Sequence, residues 1–308
     1  MSRCSLFLAS TENQMTTRWN SLRQPLSFAS LLAIACALLL AASAKSPAQK
    51  LKPEDVVTRH LESIGSSKER AAIRTRIISG TSQVVFHTTP VGQAVGRAVL
   101  ASEDVKSLLG MSFPSPVYPR EELGFDGSTF MAAYILPGSR SPLGSFLMTH
   151  SLIFKQGLMG GTLSSAWPLL NLTKRNAELE YLGEKKVGNQ MLHELRYVPR
   201  GGSDLQIKLY FDRDTFNHVR TEYERTISGA MGNRSYVTPG NGRETRIKMV
   251  EEFSDFKKEG GLNLPHTYKI NLMTDTDAGT FLTDWTIKLT QFSFNEKIDP
   301  NSFTIISK

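Results

Sequence analysis

The stretch LNLPHTYKINLMTDTDAGTFLTDWTIKLTQFSF, residues 262–294, decides the fold of this chain. Apolar side chains fall on alternate positions in both of its halves: Leu264, Tyr268, Ile270 and Leu272 in the first, and Phe281, Trp285, Ile287 and Leu289 in the second. A period of two is typical of a strand with one buried and one solvated face. Phe292 and Phe294 then change phase, which predicts a β-bulge between the two sets.

The same alternation continues on both sides of this stretch. Residues 205–211 repeat it, and clusters of Gly, Asn and Asp separate the apolar runs in the second half of the chain. Short connections of this kind predict a sequential antiparallel meander. In the first half, residues 76–87 and 93–100 predict a hairpin that turns near residues 89–92. We therefore expect a mainly β (α+β) fold with about 10–11 strands.

Two helices are predicted before the first strand. Residues 51–64 carry a proline at the first turn, two acidic residues behind it, and apolar residues that share one face. Ser66 and Glu69 have the spacing of a capping box, which predicts a short second helix.

Residues 143–172, called the central segment below, break the strand pattern. They contain a single formal charge, Lys155, and are interrupted by Gly157, Gly160 and Gly161. We predict two short helices, 144–156 and 162–170, joined by a flexible glycine joint and covering the apolar face of the sheet. The segment is either a fixed cover that completes the core or a lid that moves to admit an apolar ligand.

If the segment is a lid, its large apolar side chains and those of the preceding strand are the candidate ligand contacts. These candidate residues are Phe130, Tyr134, Phe146, Leu147, Leu152, Phe154, Leu158, Met159, Leu163 and Trp167.

The N-terminus predicts export. Residues 28–44 form an uncharged run that follows Arg18 and Arg23 and ends in the small residues Ala-Ser-Ala, the pattern of a cleaved signal peptide. A membrane anchor, for which the run is slightly short, and lipid attachment at Cys36 are the alternatives. The start is either Met1 or Met15. We expect a signal peptide over 1–44 and a single domain over 45–308, located in the periplasm.

The expected mature chain offers little for catalysis. Both cysteines lie within residues 1–44, so it has no disulfide, thiol nucleophile or thiolate metal site. Metal-ligand spacing is absent from its six histidines, namely His60, His87, His150, His193, His218 and His266. No serine-nucleophile or complete phosphate-loop motif occurs. We predict no catalytic residue, no metal and no cofactor, although a hydrolase with dispersed residues stays an alternative.

Several turn motifs together resemble one bacterial family. Residues 182–188, LGEKKVG, resemble its first hairpin, and residues 209–215, LYFDRDT, with His218 resemble the next step. Residues 253–256 with 261–265 resemble a later hairpin, and residues 298–303 resemble the close before its last strand. With the opening helix, these motifs resemble the lipoprotein-sorting, LolA/LolB-like superfamily over nearly the whole mature chain.

The resemblance implies a curved antiparallel half-barrel, closed by helices over an apolar cavity that shelters acyl chains in the periplasm. We therefore expect a non-enzymatic carrier whose partner is a lipid or a lipidated protein, with transient contact to a membrane surface. The expected mature chain has a net charge of +5 with interleaved signs, and export excludes nucleic acid as a partner. The alternative is a non-catalytic structural or interaction module of the envelope with a filled core.

Overall fold

The computed structural model describes residues 51–87, 92–228 and 244–306. The predicted signal peptide and most of the turn predicted near residues 89–92 lie outside the described residues. No helix in the described part of the chain is long and apolar enough to cross a membrane.

Within the described residues, twelve strands form one open, fully antiparallel sheet. The strands are β1 Thr75–Phe86, β2 Gly92–Glu103, β3 Lys106–Ser112, β4 Arg120–Phe125, β5 Phe130–Ala132, β6 Glu178–Val187, β7 Gln190–Val198, β8 Gln206–Asp212, β9 His218–Ile227, β10 Thr245–Glu259, β11 Leu262–Thr276 and β12 Gly279–Phe294. Their order across the sheet is β5-β4-β3-β2-β1-β12-β11-β10-β9-β8-β7-β6. The mainly β class is confirmed, with more strands than the predicted 10–11.

The sheet consists of two meanders joined by one long-range pairing. Strands β6 to β12 run sequentially, as predicted, and β1 to β5 form a second meander. The two meet where β1 pairs with β12, with Arg76 opposite Phe294. Sequence periodicity identifies strands but not which distant strands pair, so this junction was not foreseen.

Two bulges decide which face particular side chains occupy. Ser79 pairs with Gln291 and Gly80 with Leu289, so Thr290 is an extra residue in β12, and the predicted bulge is confirmed. In β9, Val219 is the extra residue between the pairs Tyr210–Arg220 and Phe211–His218. Because a bulge reverses the alternation, it turns His218 toward the inner face, which packs against the helices.

The N-terminal helices agree with their sequence signals. Helix α1, Pro53–Ile64, buries Val56, Val57 and Ile64 against the sheet. Helix α2, Ser67–Ala72, has the predicted capping box.

The central segment differs from its prediction. The predicted helix 144–156 is two helices, α3 Pro142–Thr149 and α4 Leu152–Lys155, because the backbone leaves the helical conformation at His150. The predicted helix 162–170 is wrong: it is replaced by 3₁₀ turns at Gly161–Leu163 and Pro168–Asn171, followed by α5, Leu172–Arg175. Its glycine start and the proline at residue 168 favour tight turns over a continuous helix.

The last described residues include a 3₁₀ turn. A 3₁₀ turn at Pro300–Phe303 follows β12, and residues 304–306, the last that the structure describes, form no strand.

Candidate functional site

Eight of the ten candidate residues come together between the central segment and the sheet. They are buried in one apolar cluster: Phe130, Phe146, Leu147, Phe154, Leu158, Met159, Leu163 and Trp167. Leu152 is half-buried at the edge of this cluster. Tyr134 lies beyond the end of β5 and therefore outside the strand that was predicted to hold it. Its ring stacks under the Arg140 guanidinium, 4.2 Å from the ring centroid. Contact of these residues with a ligand stays a prediction.

The space between the central segment and the sheet is nearly filled. A cavity of about 20 Å³ lies there, lined by Phe154, Met159 and Leu163 of the segment and by Leu100 and Tyr268 of the sheet, among others. That volume holds about one water molecule. An acyl chain could therefore enter only if part of the segment moved away.

A buried carboxylate binds the backbone of the central segment. Glu251 in β10 is fully buried, and its Oε1 accepts a hydrogen bond from the Gly160 N–H at 2.8 Å. The hydroxyl of Tyr268 donates to the same oxygen at 2.5 Å, and that of Tyr223 donates to Oε2 at 2.7 Å. The tyrosines lie diagonally across the two neighbouring strands, within reach of long side chains. Burial raises the pKa of Glu251 above its ordinary value.

A buried arginine binds the same segment two and four residues further on. Arg76 in β1 is 2% exposed, and its Nη1 donates to the carbonyls of Thr162, at 2.5 Å, and Ser164, at 3.4 Å. Its Nε has no hydrogen-bond partner, and burial lowers its pKa to about 10. Among the described residues it forms no ion pair within 4 Å. The guanidinium is therefore a buried cation whose contacts are neutral carbonyls.

Two histidines surround Trp167 beneath the segment. The Trp167 indole N–H donates to His60 Nε2 at 3.1 Å, and the other nitrogen, Nδ1, lies 3.0 Å from the Phe216 carbonyl. The first contact requires an unprotonated Nε2. Burial lowers the pKa of His60 to about 4, which favours this neutral form of the ring. The His218 ring stacks on Trp167 with centroids 4.5 Å apart. Any side chain on Gly161 would collide with His218, since its Cβ would lie 2.7 Å from Nδ1.

A second buried carboxyl lies at the other end of the inner face. Glu121 in β4 accepts a hydrogen bond from the Tyr118 hydroxyl at 2.6 Å, and Tyr118 in turn accepts one from the Trp285 indole at 2.9 Å. Its other oxygen, Oε1, is buried without a partner. Burial raises the pKa of Glu121 to about 7.

These polar side chains were missed by reasoning from sequence. Arg76, Glu121 and Glu251 lie on inner-face positions of strands, where the pattern predicts an apolar residue, and that conflict was the available signal for them. His218 gave no such signal, because only the bulge brings it inward. Within the described ranges, no three His, Cys, Asp or Glu side chains form a group that could hold a metal ion.

No family model and no curated protein matches the chain. Among solved structures it is similar to a DUF1329 family protein from Desulfovibrio piger, at 10% identity and a TM-score of 0.44 over 81% of this chain and 96% of that one. It is also similar to a LolA superfamily protein from Nitrosomonas europaea, at 10% identity and a TM-score of 0.42 over 83% and 98%. A third is an outer membrane lipoprotein-sorting protein domain from Vibrio parahaemolyticus, at 13% identity and a TM-score of 0.35 over 80% and 97%. One of these structures carries the name of the superfamily that the turn motifs resemble, but at TM-scores under 0.5 the likeness supports no conclusion about what this chain does.

Proposed function

We propose that this chain is an exported binding or carrier protein that holds an apolar ligand, a lipid or the acyl chains of a lipidated protein, between the sheet and the central segment. One observation carries the proposal: the segment is attached to the sheet through backbone groups held by buried ionisable side chains. Glu251 holds Gly160, and Arg76 holds Thr162 and Ser164.

Such an attachment suits a cover that opens. When the segment leaves, water hydrates the carboxyl and guanidinium groups, which offsets part of the lost hydrogen bonding. The apolar surfaces that separate then need a new cover. An acyl chain provides one, at roughly 0.8 kcal/mol for each CH₂ group that it buries.

The remaining parts of the proposal concern place and chemistry. The leader over 1–44 directs the protein to the periplasm, and the central segment contacts a membrane surface transiently when it collects or delivers the ligand. The chain works without catalysis or cofactor. The motif resemblance to carriers of lipidated proteins agrees with this role.

Co-purified ligand is the direct test. We expect native mass spectrometry of the exported protein, purified from the envelope without detergent, to reveal a non-covalent apolar adduct. In a Trp285→Phe variant, Trp167 is the one tryptophan left after residue 44, and 9,10-dibromostearate should quench its fluorescence on contact. A protein with no adduct and no quenching would contradict the proposal.

A disulfide tests whether the segment must move. A Cβ built on Gly144 in α3 lies 3.3 Å from the Cβ of Ala132 in β5, close to the usual disulfide spacing. Beyond residue 44 the chain has no cysteine of its own. We expect the oxidised Ala132→Cys/Gly144→Cys protein to take up dibromostearate poorly and the reduced protein to take it up like its parent. Equal uptake by both forms would mean that α3 does not have to leave.

The second candidate is the envelope module with a filled core, and the cavity of only about 20 Å³ favours it. The sheet edges are poorly suited to pairing with a partner strand, however. Strand β5 has three residues, and β6 carries a bulge at Leu182 together with several charges, which are devices that block edge pairing. A stoichiometric protein partner captured from envelope extract, without lipid, would favour the module.

A further inference from the structure

We infer that a cationic groove beside the central segment binds the anionic head group, carboxylate or phosphate, of an amphiphilic ligand. The inference rests on the proposed function, which it deepens by specifying the ligand class. The groove has a volume of about 720 Å³ and lies between α2, the turn that joins β2 to β3, and residues 165–175.

The lining of the groove is amphiphilic. It includes five cationic side chains and two carboxylates, namely Arg70, Arg74, Arg76, Lys174 and Arg175 against Glu103 and Asp104. Its apolar part includes Ile73, Trp167 and Leu170. A lining that combines cationic and apolar side chains matches a molecule with an anionic head and an apolar chain.

The cations are not neutralised by the protein itself. Within the described ranges none of the five forms an ion pair within 4 Å, whereas Glu103 is paired with Lys106 at 3.2 Å. Arg175 donates to the carbonyls of Lys155 and Ala166, both at 3.0 Å, and Asp104 is the carboxylate that acts on it electrostatically. Arg74 and Lys174 are exposed at the rim. Arg70, like Arg175, already donates to backbone carbonyls. The cationic donors available for an incoming anion are therefore those of Arg74 and Lys174 at the surface and the Nε of Arg76.

Arg76 is the strongest sign of a ligand. It lines the groove while being 2% exposed, and its Nε is buried without a partner. A buried charge is unfavourable unless an opposite charge or a full set of hydrogen bonds accompanies it. An anion in the groove would supply both.

Trp167 connects the groove with the space beneath the segment. Trp167 is among the residues that line the groove, and its ring stacks on His218 in the apolar cluster. A head group held by the arginines would thus place the attached chain beside Trp167, at the entrance to the proposed acyl site.

The test compares oleate with monoolein, which has the same chain but a neutral head. Both are titrated below their aggregation concentrations against the exported protein, by displacement of dibromostearate from Trp167 in the Trp285→Phe background. We expect oleate to bind about tenfold more tightly, and 0.5 M NaCl to reduce this preference. Arg74→Glu/Lys174→Glu should abolish the preference. The control Lys186→Glu/Lys297→Glu changes the net charge equally at exposed positions outside the groove and should retain it.

The outcomes separate this inference from the function on which it rests. Equal affinity for both amphiphiles, unchanged in Arg74→Glu/Lys174→Glu, overturns the groove assignment and leaves the carrier in place. Absence of binding for both amphiphiles overturns both proposals. A calorimetric titration with inorganic phosphate tests the other source of the anion. Phosphate binding without oleate binding overturns the inference that the ligand is an amphiphile and identifies a site for a free anion.

Discussion

Charged side chains on the two faces of the sheet have different kinds of partner. On the outer face, Lys208 pairs with Glu194 at 2.9 Å, and Glu222 pairs with Lys248 at 2.9 Å and with Arg220 at 2.7 Å. On the inner face, Glu251 and Arg76 have no ion pair among the described residues, and both bind backbone atoms of the central segment.

The contrast shows which interactions depend on the position of the segment. The outer pairs join side chains of the same strand or of neighbouring strands, so they persist whether the segment is in place or not. Glu251 keeps its two tyrosine donors wherever the segment lies, but its bond to Gly160, and those of Arg76 to Thr162 and Ser164, exist only while residues 160–164 lie against the sheet. If the segment opens as proposed, the inner bonds are broken and the outer pairs are not.

The largest expected effect comes from removing the inner carboxylate. We expect Glu251→Ala to lower the free energy of unfolding by about 4 kcal/mol, because three buried donors lose their acceptor. Glu222→Ala should lower it by about 1 kcal/mol, since Lys248 and Arg220 still reach water. Guanidinium unfolding at pH 7 measures both values.

An isosteric variant and salt sharpen that comparison. Glu251→Gln retains an amide oxygen that accepts a hydrogen bond from one tyrosine. We therefore expect it to lower the free energy of unfolding by about half as much as Glu251→Ala does. The salt series uses urea, because guanidinium chloride is itself a salt. Adding 0.5 M NaCl should reduce the loss of unfolding free energy caused by Glu222→Ala and leave the loss caused by Glu251→Ala unchanged. Equal losses for the two alanine variants would refute the distinction between the faces.

Glu121 gives the next effect, which depends on pH. Its pKa is about 7 in the folded protein against an ordinary value of 4.5, so its favourable contribution is complete below pH 4.5 and is lost as the pH rises through 7. We expect the free energy of unfolding of the wild type, minus that of Glu121→Gln, to fall by about 3 kcal/mol between pH 4.5 and 8.

The subtraction removes the opposing contribution of His60. The lowered pKa of His60, about 4, gives stability that is present above pH 6.5 and lost as the pH falls toward 4. It acts in both proteins, so it cancels in the difference. Parallel curves for wild type and Glu121→Gln would contradict the assignment of the slope to Glu121.

Much of the fold could be predicted because it depends on local patterns. The alternation in residues 262–294 predicts β11, β12 and even the bulge at Thr290, and Ser66 with Glu69 predicts the start of α2. The pairing of β1 with β12 could not be predicted, because it joins residues about 200 positions apart and no local property encodes it.

The candidate site was predicted only in its apolar part. Hydrophobicity alone identifies Phe154 or Leu163 as buried. The binding of Gly160 by Glu251 depends on three strands and a turn meeting at one point, which only the folded chain specifies. The sequence predicts too much helix in the central segment, because its apolar composition is compatible with a buried helix. The glycines and the proline favour tight turns instead.

The smallest expected effect separates opening of the segment from global stability. Arg76→Met removes the hydrogen bonds to Thr162 and Ser164 but also removes a buried, uncompensated cation. We therefore expect the free energy of global unfolding to stay within about 1 kcal/mol of the wild-type value or to rise. Hydrogen exchange of amides in residues 158–167 should nevertheless accelerate about thirtyfold, corresponding to about 2 kcal/mol for hydrogen bonds to a charged group.

Arg220→Met is the matched control, because it removes an arginine from the outer face without touching the segment. It should leave exchange in residues 158–167 unchanged. If both variants accelerate exchange equally, the segment is not held by Arg76 in particular, and opening follows overall stability. If Arg76→Met alone accelerates it while global stability is kept, the inner guanidinium controls a local opening, which is the motion that an acyl ligand requires.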